Sequence, residues 1–283
     1  MQEIIGNENI IELVELLKYK PPLPHILLTG IAGIGKTTVA KYIVEHCNKS
    51  LLFEYYGNQL DEFELRFTFN YLADNNIANA TIFIDELQML NKNLLSLLYE
   101  PMEDLTLGGI NLQPFTLIGA TTDLNKIPDA LQRRFRIKED LKVYTRAEIS
   151  DIIESQCRIN EESAFRLANM CKGVPGFARN FVDVIKKIAK EDNIVEEDVT
   201  TLQRLLKIDG LGLTETDLDY LIILSRNGII GLDTIASAIN EPVLTVAGKV
   251  EPFLLRIKFV IKTPRGRMIT PNGRKYIDRK GDI

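Results

Sequence analysis

Three stretches of this chain carry the side chains that phosphate chemistry requires. Gly30-Ile31-Ala32-Gly33-Ile34-Gly35-Lys36-Thr37 satisfies the spacing G-x-x-x-x-G-K-[ST] without exception. Gly30, Gly33 and Gly35 let successive backbone N–H groups curve round phosphate oxygens, and a helix starting near Lys36 points its positive end at them. Lys36 is long enough to reach β- and γ-phosphates, and the hydroxyls of Thr37 and Thr38 follow it, Thr37 suited to Mg²⁺. Thr81-Ile82-Phe83-Ile84-Asp85-Glu86 then delivers two carboxylates at the end of an apolar run. Asp85 is the metal-side acid and Glu86 the group that polarises an attacking water. Adjacent acids after a strand also cap helices; the upstream P-loop is what gives this pair its meaning.

Phe115-Thr116-Leu117-Ile118-Gly119-Ala120-Thr121-Thr122 is a further apolar run ending in hydroxyls, and Thr122 is the one expected beside a γ-phosphate. Leu131-Gln132-Arg133-Arg134-Phe135 adds two guanidinium groups soon after. Either can neutralise charge on a transferring phosphoryl group from a neighbouring subunit, although a solvated surface pair fits the spacing equally well. ATP and Mg²⁺ are the cofactors these residues imply.

The elements that must hold this chemistry follow from the hydrophobic pattern. Over 1–143, short apolar runs alternate with helical stretches, which is the pattern of a parallel sheet flanked by helices in an α/β ATPase domain. Strands are expected at His25–Thr29, Leu51–Tyr55, Thr81–Ile84, Phe115–Gly119 and Leu141–Val143, with a helix from Lys36 to about Cys47. Over 144–208 only helices are expected, the first opened by the capping box Thr145-Arg146-Ala147-Glu148. A glycine-rich hinge, Asp209-Gly210-Leu211-Gly212, opens the third module, 209–283. There, three helices, the last kinked at Pro252, precede two strands, Phe259–Lys262 and Met268–Thr270, in winged-helix order.

Composition limits the remaining possibilities. The chain has 283 residues, 45% hydrophobic and 26% charged, as in an ordinary globular protein of more than one domain. Cys47, Cys157 and Cys171 lie far apart, which speaks against a disulfide framework or zinc cluster. The two histidines, His25 and His46, leave little room for imidazole catalysis and read as structural. No apolar run approaches the ~20 residues of a membrane helix and the start lacks a signal pattern, so a cytoplasmic chain without membrane contact is expected. The net charge of −5 argues against general coating of nucleic acid. Yet Lys262, Arg265 and Arg267 belong to a basic C-terminal run in which no acid lies between Leu254 and Ile277, so a local phosphate contact is expected there.

Taken together these residues resemble the AAA+ ATPases, and several stretches resemble the RuvB family in particular. They are Pro101-Met102-Glu103-Asp104, the run from Pro114 to Thr122, Gly231-Leu232-Asp233-Thr234, Val250-Glu251-Pro252-Phe253-Leu254 and Thr263-Pro264-Arg265-Gly266-Arg267. The resemblance runs in register from Ile5-Gly6 to Pro271. It implies a ring, usually a hexamer, with ATP at the interfaces and DNA threaded through it. It implies Arg134 as the finger acting in trans, Thr122 as sensor 1, Ile5 and Tyr144 at the nucleotide with Tyr144 against the adenine, and a DNA-contacting wing at Lys262, Arg265 and Arg267. The family has a further arm before Ile5, and a longer hairpin, for docking RuvA, where this chain has only Leu105–Gln113. Its sensor 2 arginine falls at Gly176, with Arg179 one helical turn on as a substitute. The expected activity is that of a Holliday-junction branch-migration motor: hydrolysis of ATP coupled to movement of double-stranded or four-way-junction DNA, without secure docking of a RuvA-type partner. Replication initiators also join AAA+ and winged-helix modules, so a DNA-binding switch with slow hydrolysis is the alternative. A DNA-binding assembly protein with vestigial hydrolysis is a third reading, against which the intact Asp85-Glu86 pair speaks.

Overall fold

The computed structural model describes residues 4–18, 22–48, 51–189 and 193–281. Its contacts divide the chain into two compact units, Met1–Glu148 with Val174–Gly176, and Ile149–Gly173 with Phe177–Ile283.

In the first unit five parallel strands form one sheet in the order Leu52–Tyr56, Thr81–Asp85, Thr116–Thr121, Ile26–Thr29, Ile137–Asp140. Side chains alternate across the pleat, so each central strand feeds two cores. Ile26, Leu28, Phe83, Ile118 and Ala120 pack with Ile34, Val39, Ala40 and Ile43 on one face. Leu27, Ile82, Ile84 and Leu117 pack with Leu65, Phe69 and Leu72 on the other. The three central strands therefore end side by side, and the turns after them carry Gly30, Glu86 and Thr122.

The fifth strand lies at Ile137–Asp140, not at Leu141–Val143. As an edge strand it needs backbone pairing and only one covered face, so Lys138 and Asp140 lie exposed on the other and the apolar signal fades. Leu141 is buried just past the strand, where its N–H donates to Thr29 O at 2.8 Å. The helix after the P-loop is α-helical over Lys36–Ile43 and continues as a π-helical turn, Val44–Asn48.

His25 stands just before the first strand, and its Nδ1 accepts a hydrogen bond from the Leu117 N–H at 2.9 Å. Burial, with the Arg136 charge adding to it, lowers the imidazole from 6.5 to about 4. The native ring thus holds fewer protons than the unfolded one. Its contribution is complete above pH 6.5 and is lost as the pH falls towards about 4. Relative to His25→Gln, which keeps an acceptor but cannot ionise, the wild type should lose roughly 3 kcal/mol of unfolding free energy over that window. Parallel urea-unfolding curves of the two proteins at each pH would contradict this.

The second unit holds the helices Glu161–Met170 and Glu196–Leu206 and most of Pro175–Ile188, then the winged helix. Arg146–Glu154 leads into it behind the expected capping box, with Glu148 N donating to Thr145 Oγ1 at 3.2 Å and Thr145 N to Glu148 Oε2 at 2.6 Å. The expected hinge is instead a pinned turn. Asp209 Oδ1 accepts from Leu211 N at 2.8 Å and Leu213 N at 2.9 Å, and a Cβ on Gly212 would stand 2.1 Å from Met170 O. Glu215–Asn227 and Leu232–Ala238 are followed by one helical run from Val243 to Arg256, whose irregular stretch, Val246–Val250, is a π-helical turn before Pro252. The proline sits in the first turn of Glu251–Arg256, where its missing N–H does little harm. Strands Val260–Thr263 and Gly266–Ile269 form the antiparallel wing. Pro271–Gly281 closes the unit as a helix that apolar periodicity does not reveal, since charged and polar residues dominate it.

Candidate nucleotide site and wing

At the C-terminal ends of the central strands, the residues expected for phosphate chemistry come together. Gly30, Gly33 and Gly35 have φ of 146°, 76° and 105°, a region closed to most side chains, so the loop's curvature depends on glycine. Lys36 is buried, with Nζ donating to Gly30 O at 3.0 Å and Ile31 O at 3.2 Å within its own loop. Burial lowers its ammonium below the usual lysine value, against the opposing pull of Glu86 and Asp85. Thr37 Oγ1 donates to Asp85 Oδ2 at 2.5 Å, joining the two residues expected at the metal. Thr38 is exposed on the same first turn, and Ile5 is half-buried. Tyr144 is also half-buried; burial raises its hydroxyl above the ordinary tyrosine value, against a hydrogen bond to Asn7. A cavity of about 490 Å³ runs beside it, lined among others by Asn7, Asp140, Tyr144 and Glu148.

Glu86 adopts a left-handed backbone, φ 53° and ψ 50°, rare for a residue with a side chain and often found where geometry serves function. Gly57 makes room for it: a Cβ there would meet Glu86 O at 2.4 Å, and Gly57 N donates to Asp85 O at 2.8 Å. One residue that motif reading passes over is prominent. Gln88 Nε2 donates to both Glu86 Oε2 and Thr122 Oγ1, the latter at 2.8 Å. Its Oε1 accepts from Thr121 Oγ1 at 2.6 Å, and Thr122 Oγ1 donates to Glu86 Oε2 at 3.1 Å. The available signal was an amide two residues after the acidic pair.

The wing departs from expectation in one respect. Arg267 and Lys262 are not without a local partner. Glu251, 1% exposed, accepts from Arg267 Nε at 2.7 Å and Tyr220 OH at 2.9 Å, and pairs with Lys262 Nζ at 2.9 Å. It lies three residues before the acid-free stretch, one helix away from the hairpin, and so escaped a search for nearby acids. Burial pushes its carboxyl upward, but the hydrogen bonds from Arg267, Lys262 and Tyr220 outweigh that and hold it below the usual glutamate value. Arg265 stays exposed at the hairpin tip, and among the described residues no ion pair or hydrogen bond holds its guanidinium.

Comparison with known proteins places these features in a family. Residues 26–143 match the AAA family model, ATPase family associated with various cellular activities, and residues 210–278 match the RuvB C-terminal winged helix domain. A Holliday junction branch migration complex subunit RuvB from Prochlorococcus marinus is 34% identical, the match covering 99% of this chain and 87% of that protein. The chain belongs to the RuvB family. The RuvB of Ehrlichia ruminantium is 30% identical over 99% of this chain and 91% of its own. Among solved structures, the Thermotoga maritima RuvB Holliday junction branch migration motor superposes with a TM-score of 0.81 at 30% identity, covering 97% of this chain and 95% of that one.

Three further expected sites can be placed. Gly176 N donates to Gly33 O at 2.9 Å, and a Cβ on Gly176 would stand 3.0 Å from Gly33 Cα, so the backbone here lies directly on the P-loop. A larger residue at Gly176 requires the loop to yield by a few tenths of an ångström. Arg179 is exposed near the start of Pro175–Ile188. The Leu105–Gln113 segment does form a hairpin, but with only two residues on each side, Thr106–Leu107 and Ile110–Asn111, turning at Gly108-Gly109. Arg134 uses its donors inside its own unit, on Glu103, on Tyr99 O at 3.3 Å and on Ala130 O at 2.7 Å, over the Tyr99 ring; Arg133 is exposed. No helix among the described residues is long and apolar enough to cross a membrane.

Proposed function

We propose that this chain is an ATP-driven DNA motor of RuvB type, working as a ring, six-membered by resemblance, on double-stranded or branched DNA. The supporting observation is the convergence of Lys36, Thr37, Asp85, Glu86 and Thr122 at three adjacent strand ends, in a chain that also carries a basic wing. On this reading the P-loop N–H groups and Lys36 hold the phosphates of ATP, Glu86 orients the attacking water and Thr122 contacts the γ-phosphate. Thr37 and Asp85 supply hard oxygens 2.5 Å apart, a donor set that fits Mg²⁺, which when bound offsets phosphate charge. A guanidinium from the Arg133–Arg134 pair would complete the neighbouring subunit's site, and Arg134 must first leave Glu103 to do so. Three modules, 1–143, 144–208 and 209–283, remain our division of labour: ATPase, lid and DNA contact. With two residues on each side, the hairpin at 106–111 is too short to dock a RuvA-type partner securely.

Multi-round hydrolysis stimulated by junction or duplex DNA is the expected behaviour of a motor; a single slow round, indifferent to DNA, would favour a switch. The wing provides the specific measurement. Arg265→Ala should weaken binding to unrelated DNA sequences about equally and reduce the slope of log affinity against log salt by about 0.9, one phosphate contact. Arg267→Ala should reduce the slope less, because Arg267 shares its charge with Glu251. An unchanged slope for Arg265→Ala would place the DNA elsewhere.

A further inference from the structure

Four side chains around the acidic pair form a closed set of hydrogen bonds, and Gln88 is its hub. Its amide N–H groups reach Glu86 and Thr122, its carbonyl is held by Thr121, and Thr121 is itself fully buried at the end of its strand. Thr121 Oγ1 is further fixed by accepting from Asp123 N at 3.1 Å. Gln88 is therefore anchored on one side by a rigid hydroxyl and presents two donors on the other. Those donors meet the expected base and the expected γ-phosphate sensor, which also touch each other. Backbone geometry adds a constraint: Glu86 sits in the left-handed region with Gly57 packed on its carbonyl, so its freedom lies mainly in the side-chain torsions that Gln88 restrains.

We infer that Gln88 is a positioning residue that sets the orientation of the Glu86 carboxylate and links it to Thr122. The inference rests on the reading of Glu86 as the base. The Thr122 hydroxyl has a single proton, now donated to Glu86 Oε2. Donation to a γ-phosphate oxygen removes that bond and leaves Gln88 as the remaining side-chain donor on Glu86. Occupancy of the phosphate site thereby changes which groups hold the base, while Gln88 keeps it from swinging away.

The test uses the purified full chain and ATP, with binding followed by a fluorescent ATP analogue. Gln88→Met keeps the size and removes every hydrogen bond; it should lower kcat by roughly 10- to 100-fold, the weight of one hydrogen bond to a charged group. The dissociation constant for the analogue should change less than about threefold. Gln88→Glu keeps the acceptor for Thr121 but presents an acid to Glu86. The charged group the new acid meets directly is Glu86, whose own charge, with that of Asp85, acts on Lys36. A like charge alongside raises a carboxyl's proton affinity, so the variant's activity relative to wild type should climb as the pH is lowered and the new carboxyl takes up a proton and donates again. A residue that merely fills space would give a ratio independent of pH. A flat ratio for Gln88→Glu, a wild-type kcat for Gln88→Met, or parallel losses of binding and turnover would each overturn the inference. Should Glu86→Gln turn over like wild type, the reading of the base would fail first, and on separate grounds.

Discussion

Lys36→Ala is expected to abolish ATP hydrolysis and to weaken nucleotide binding severely. Lys36 is the P-loop's own cation and is held at the centre of the loop by Gly30 O and Ile31 O rather than by a carboxylate. Two carbonyl contacts are easily exchanged for phosphate oxygens, which offer a full negative charge in place of a dipole. The ammonium is already partly removed from water, as the downward shift of its proton affinity indicates, so little solvation remains to be lost when ATP arrives. Removing the cation leaves the anion-binding loop with N–H donors alone. Hydrolysis by radiolabelled-phosphate release and binding by titration with a fluorescent analogue are the measurements. Turnover within a fewfold of wild type would remove the P-loop from the mechanism.

The second large effect separates chemistry from binding. Glu86→Gln preserves size and the left-handed backbone that Gly57 accommodates, but replaces a carboxylate by a neutral amide. It should bind ATP as well as wild type and hydrolyse it at least ~100-fold more slowly, the lower end of what a positioned base contributes. Trapped with ATP, the variant should accumulate its assembled form, visible as a larger species by light scattering. A turnover near wild type would mean that another group orients the water. The same two mutants then discriminate the functional readings, because a vestigial ATPase would show no effect of either on a rate already near zero.

Much of the fold was legible because the two periods that matter were written plainly. The runs at 26–29, 81–85 and 116–121 are buried on both faces, so they read as continuous apolar segments whose ends coincide with the functional turns. The P-loop and the acidic pair were legible for the same reason: their chemistry sits on consecutive residues. What could not be read depended on partners distant in sequence. The edge strand Ile137–Asp140 is half exposed and carries three charges in four residues, so only its pairing with Ile26–Thr29 defines it. Glu251 meets Lys262 and Arg267 only because a helix and a hairpin fold together, and local charge counting places it outside the basic stretch. Gln88 offers no motif at all; its importance comes from Thr121 and Thr122 arriving on another strand. The pinned turn at Asp209 reads as flexible from its glycines, yet Gly212 is there because Met170 O leaves no room for a side chain.

The parallel register of the central strands sets a rule on chain length. Thr29 stands opposite Thr121, Ile84 opposite Gly119, and Tyr56 opposite Asp85, so the turns bearing phosphate, metal and water ligands leave the sheet at one level. Side chains along a strand point alternately to opposite faces. Adding or deleting one residue within Thr81–Asp85 would not simply move the acids by one step, about 3.3 Å. It would also turn Asp85 away from Thr37 and exchange the apolar residues facing the two cores. A conservative substitution in these strands can be absorbed by repacking, whereas a single-codon insertion has no such remedy. Evolution of this site can therefore proceed through residue identity and through the loops beyond the strand ends, while the strands themselves are held to a fixed count.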